Sequence, residues 1–110
     1  MRLKKEVRDQ LIEMIRERVY KAVKSYNIDE LFNVNLDREI KVTYNPKYNS
    51  FYVKFGRLYN IFYGDLARKV SEAMVVKEND IIRSVTPSLG TLIIHIEWSR
   101  LLVPKKEIVN

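Results

Sequence analysis

The chain has 110 residues, enough for one hydrophobic core and too few for two domains. Hydrophobic residues make up 46% and charged residues 31%, the balance of a folded globular protein; the lack of cysteine excludes disulfides and thiolate metal sites, and one histidine excludes a multi-histidine site. Twenty Lys and Arg against 14 Asp and Glu give a formal charge of +6, which suits a polyanionic partner such as nucleic acid.

Leu3 to Tyr26 reads as one long amphipathic helix, with Leu3, Val7, Leu11, Met14, Ile15, Val19, Ala22, Val23 and Tyr26 recurring at helical spacing. With Ile12 and Tyr20 these residues sweep an arc wider than a helix lying on one flat sheet needs, so two packing partners are expected. Arg8 and Arg18 fall inside or at the edge of that arc. Each must carry its guanidinium to water or meet a carboxylate, and a carboxylate of a second copy meeting Arg18 would make the chain a two-fold homodimer through this helix. Met1 to Glu6 holds no apolar signal core, and no apolar run approaches the roughly 20 residues that span a bilayer. A soluble, cytoplasmic protein with no membrane partner is the expectation.

Lys24 to Asn35 is polar around Leu31 and Phe32, which fits a helix end and a loop pinned on the core. From Glu39 to Tyr44 the pattern alternates, with Ile40, Val42 and Tyr44 on one face and Lys41 and Thr43 on the other. Asn45-Pro46-Lys47-Tyr48-Asn49 is turn chemistry, and Phe51, Val53 and Phe55 then alternate with Tyr52 and Lys54, which completes a hairpin. Leu58 to Tyr63 reads as a third strand ended by Gly64. Asp65 is placed to cap a short helix carrying Leu66, Ala67, Val70, Ala73 and Met74. Ile81 to Thr86 and Thr91 to Trp98 form a last hairpin around Pro87-Ser88-Leu89-Gly90, with Leu92, Ile94, Ile96 and Trp98 facing the core. Residues 101–110, with Pro104 and Lys105-Lys106, read as an irregular tail. The expected fold is a single α+β domain over residues 1–110: a long N-terminal helix on an antiparallel sheet of four to five strands, with a second short helix between two hairpins.

The first hairpin is the candidate site. If its apolar residues face the helix, Lys41, Thr43, Tyr52 and Lys54 project together from the opposite face, with Lys47, Tyr48 and Arg57 at the margin. Cations beside an exposed tyrosine neutralise phosphates and offer a ring on which a base stacks. The expected function is therefore nucleic-acid binding without sequence-specific readout, without catalysis, cofactor or metal, and with the type of nucleic acid open. Phe51-Tyr52-Val53-Lys54-Phe55 carries the aromatic end of the signature of RNA-recognition motifs, but lacks the leading glycines and sits in a different element order.

Two other classes compete. Glu39-Ile40-Lys41 has the E-x-K spacing of metal-dependent nucleases, with Asp29 or Asp37 upstream, and His95 with Glu97 and Arg83 could be drawn as an acid–base pair. Ser88-Leu89-Gly90 is no phosphate loop, because the G-x-x-x-x-G-K pattern is absent. Alternatively the chain is a homodimeric structural or protein-interaction protein using its broad helix face and Trp98, Tyr59 and Tyr63. The mix of many Lys, Arg and Glu with Ile, Val and Tyr and no Cys resembles proteins of hyperthermophiles, including small proteins of their archaeal viruses.

Overall fold

The computed structural model describes residues 3–101. It is an α+β domain in which helix α1 (Lys5–Lys24) packs on a four-stranded antiparallel sheet. Two short helices follow, α2 (Ile28–Leu31) and α3 (Leu36–Glu39), then strands β1 (Lys41–Asn45) and β2 (Ser50–Lys54) and a 3-10 helix (Gly56–Asn60). Helix α4 (Leu66–Ala73) and strands β3 (Ile82–Ser88) and β4 (Thr91–Ile96) complete the core, and residues 98–101 are again helical. The expected tail lies, from residue 102 on, outside the described residues.

Leu11, Ile15, Val19, Ala22 and Val23 of α1 are buried against the inner face of the sheet, where Val42, Phe51, Val53, Leu92, Ile94 and Ile96 meet them. The second partner of the helix is α4, which buries Leu66, Ala67 and Val70. The Tyr26 hydroxyl donates to the Lys69 carbonyl at 2.8 Å and ties the two helices together. The wide apolar arc is thus covered by the sheet and α4, both from the same chain. Asn27, at φ +58°, ends this run in the left-handed conformation that asparagine tolerates.

The sheet order is β1-β2-β4-β3, so the second hairpin joins the first through its last strand. Edge strand β3 carries Pro87 and a register irregularity between Ile82 and Ser84, both of which blunt an edge.

Several expectations need correcting. Leu58 to Tyr63 is not a strand: Gly56–Asn60 is a 3-10 helix and 61–65 is a turn in which Phe62, Tyr63 and Gly64 all take positive φ. Only Leu58 of that run is buried, and the β2 edge it would have paired with is taken by β4. The first strand starts at Lys41, because Asn35 accepts the Asp37 N–H at 3.0 Å and caps a helical turn that keeps Glu39 off the ladder. Asp65 stands at the start of α4, but its carboxylate pairs with Arg68 and caps no backbone N–H.

Arg18 meets a carboxylate of its own chain. Its guanidinium grips Asp80 bidentately, Nη1 to Oδ1 at 2.6 Å and Nη2 to Oδ2 at 2.8 Å, and Nη2 also donates to the Val75 carbonyl at 2.6 Å. This removes the residue that had suggested a second copy at the helix. Among the described residues no helix is long and apolar enough to cross a membrane.

Candidate nucleic-acid interface

Strict alternation along each strand sends one set of residues away from α1 and α4. The ladder registers arrange that set in rows across the sheet. One row runs Lys41, Lys54, Thr91, Ser88; the next runs Thr43, Tyr52, Ile93, Thr86. Of these, Lys41, Thr43, Lys54, Thr86 and Ser88 are exposed, and Tyr52, Thr91 and Ile93 are half-buried. Further along the same face the surface closes: Asn45, Ser84 and His95 are half-buried and Ser50 is fully buried. The open part of the face is therefore the end that carries the two lysines.

Lys41 and Lys54 stand directly opposite each other in the β1–β2 register. Like charges so placed destabilise a sheet unless an anion lies between them. Among the described residues neither lysine has a carboxylate partner, and the one hydrogen bond of the pair is a long contact from Lys41 Nζ to the Asp37 carbonyl at 3.4 Å.

The other expected site residues are divided by the structure. Lys47 and Tyr48 are exposed on the turn at the far end of the hairpin, about 13 Å along the strand from Lys41 at roughly 3.3 Å per residue. There the Asn45 side chain accepts the Lys47 N–H at 3.0 Å, and the Lys47 ammonium lies 5.3 Å from the centre of the Tyr48 ring, so the turn is braced by its own residues. Arg57 sits at the lysine end but is already paired: Glu39 Oε1 accepts its main-chain N–H at 3.0 Å and Oε2 its guanidinium at 3.3 Å. The main-chain N–H and then the guanidinium of Arg57 hold the Glu39 carboxyl below the usual carboxylate range. Arg38 Nε also approaches Glu39 Oε2, at 3.7 Å, so two guanidiniums share one carboxylate: Arg57 is tied beside the face by Glu39, and the cluster keeps one positive charge in excess.

That pairing also disposes of the geometry drawn for a nuclease. Glu39 ends α3 and turns to Arg57, so it does not stand beside Lys41 on one strand face. Among the described residues no group of three or more His, Asp or Glu is placed to hold a metal ion. Nor are His95 and Glu97 joined by a hydrogen bond: Glu97 accepts from the Ser99 hydroxyl at 3.2 Å, and His95 lies opposite Ser84. Arg83 falls in the register irregularity beside that pair.

Sequence reasoning missed what β4 adds. Placing Thr91 beside Lys54 and Ile93 beside Tyr52 requires the β2–β4 pairing, a contact between hairpins some 40 residues apart for which no local pattern codes. Tyr59, exposed on the 3-10 helix, also comes to this end, where its ring lies 3.9 Å from the position a side chain on Gly90 would take. Comparison of the chain with known protein families, with curated proteins and with solved structures finds no match.

Proposed function

We propose that the protein binds nucleic acid without base-specific readout, through the outer sheet face at the end carrying Lys41 and Lys54, with Thr43 and Tyr52 in the adjoining row. The observation that supports this reading is the lysine couple, two exposed lysines set directly opposite each other by the ladder and, among the described residues, with no carboxylate paired to either. A phosphate between them turns a repulsion into two charge-assisted contacts. Lys47 and Tyr48 would extend the contact along the hairpin, and the protein would act as a cytoplasmic binding protein with no catalytic step.

The test is fluorescence anisotropy with labelled oligonucleotides over a range of salt. Affinity should fall steeply as salt rises, and Lys41→Ala/Lys54→Ala should weaken binding and flatten the log–log salt slope by about 1.4–1.8, the release expected for two phosphate contacts. No binding even at low salt, where the attraction is greatest, ends this reading. A protein-interaction role, as a homodimer or a docking module, draws instead on exposed Leu31, Phe32, Tyr63 and Leu89. It predicts association indifferent to salt, read by light scattering.

A further inference from the structure

Resting on that reading, we infer that the ligand is a single strand rather than a duplex. The hairpin is not a free ribbon, because β2 is bonded on its second edge to β4 and β3 lies beyond. A two-stranded ribbon enters a major groove about 12 Å wide, but four strands spaced about 4.8 Å apart span about 14 Å between the outer axes before side chains are added. Among the described residues no helix offers a substitute. The exposed side of α1 mixes Glu6, Glu13 and Glu17 with its lysines, and on α4 the Arg68 guanidinium is taken by Asp65 and by Glu72 at 2.6 Å. A duplex would meet the face with its phosphates alone.

What the face does hold suits unpaired bases. Tyr52 and Ile93 are directly opposite each other on the two central strands, both half-buried, in the row beside Lys41 and Lys54. An aromatic ring and a branched aliphatic chain next to a cation pair let a strand lay a base on the former while its phosphates approach the latter. In a duplex each base face is occupied by its stacked neighbour, so Tyr52 gains nothing. The shared chemistry is a phosphodiester backbone with open bases, whether deoxyribose or ribose.

One mixed-sequence oligonucleotide, offered as single-stranded DNA, as single-stranded RNA and annealed as a duplex, separates the outcomes by anisotropy. At least one single strand should bind about tenfold or more tightly than the duplex. Tyr52→Leu should lower that affinity about tenfold and leave the duplex unchanged, while Tyr52→Phe, which keeps the ring, should retain it. Thermal unfolding of each variant checks that the sheet is intact, and the wild-type comparison decides the strand preference without any variant. Equal or tighter duplex binding that still depends on Lys41 and Lys54 overturns the single-strand inference and leaves nucleic-acid binding standing. Failure of all three ligands overturns the nucleic-acid reading itself. Preference for a single strand with no loss in Tyr52→Leu overturns the stacking role.

Discussion

Glu39 holds Arg57 at two points, the main-chain N–H through Oε1 and the guanidinium through Oε2, and so clasps the entry of β1 to the exit of β2. The clasp needs Gly56 beside it. A Cβ there would lie 2.7 Å from Glu39 Oε1 and 2.8 Å from the Glu39 carbonyl oxygen, and φ is +57°. Left-handed backbone costs a residue other than glycine about 1–2 kcal/mol, and the carbonyl cannot move without shifting the start of β1. Gly56→Ala should therefore destabilise the fold by about 2 kcal/mol or more in urea unfolding. A loss within about 0.5 kcal/mol would show that the approach is not as close as described.

The same clasp gives an acid dependence. The Arg57 N–H and guanidinium hold the Glu39 carboxyl below its usual range, so it stays ionised in the fold where an unfolded glutamate takes up a proton, near pH 4.3. For a lowered folded-state pKa the contribution is complete above the unfolded value and fades as pH falls through the folded one. Glu39→Gln should lower the melting temperature at pH 7, and the difference from the wild type should shrink as pH drops below about 4. Melting curves of both proteins at a series of pH values test it; a constant difference across the acid range would contradict the assignment.

Arg18 and Asp80 form the other clasp, 62 residues apart in sequence. Asp80 also accepts the Lys77 N–H at 3.1 Å and the Ile82 N–H at 3.2 Å, and the Arg18 ion pair first, then those N–H groups, hold its carboxyl far below the usual range. With side-chain exposures of 26% and 10%, the pair is only partly open to water. Asp80→Asn leaves a guanidinium without its counter-charge and should cost about 2–4 kcal/mol. Arg18→Met with Asp80→Asn should cost less than the sum of the single changes in a double-mutant cycle. Strict additivity would mean the two do not act as a pair.

Tyr20 supplies the alkaline counterpart. Burial first, then its hydrogen bond to Asp37 at 2.6 Å, push its hydroxyl up to about 12. A raised folded-state pKa stabilises fully below the unfolded value near 10 and loses that contribution as pH rises toward 12. Tyr20→Phe should cost about 1 kcal/mol at pH 7 and remove a step of alkaline destabilisation above pH 10. An unchanged alkaline unfolding curve would show that Tyr20 is not the group titrating.

Much of the architecture is legible in local pattern. The 3.6-residue period of α1, the alternation of Val42, Tyr44, Phe51 and Val53, and the polar turn between them require no distant partner to be read. What fails is whatever a distant contact decides. Ile61, Phe62 and Tyr63 have strand composition, but β4 takes the edge they would have used, and they turn instead. Arg18 shows that it needs a carboxylate and not that Asp80 will supply it. Lys41, Thr43, Tyr52 and Lys54 share a face because alternation alone puts them there, whereas the pairing of Arg57 with Glu39 depends on a 3-10 turn with no periodic signature.

The lysine couple makes its own prediction about stability. Lys41 and Lys54 repel across the ladder, so the free protein should become somewhat more stable as salt rises to screen them. Lys54→Glu replaces the repulsion with an attraction and should stabilise the fold by up to about 1 kcal/mol at low salt, with the gain fading at high salt. The same change places a negative charge where a phosphate would lie and should abolish nucleic-acid binding. Gain of stability with loss of binding is the combination expected of residues kept for a ligand at some cost to the fold. Urea unfolding at low and high salt, paired with anisotropy on the same preparation, reads both. If Lys54→Glu were destabilised, the repulsion would be absent; if it bound as well as the wild type, the ligand would lie elsewhere.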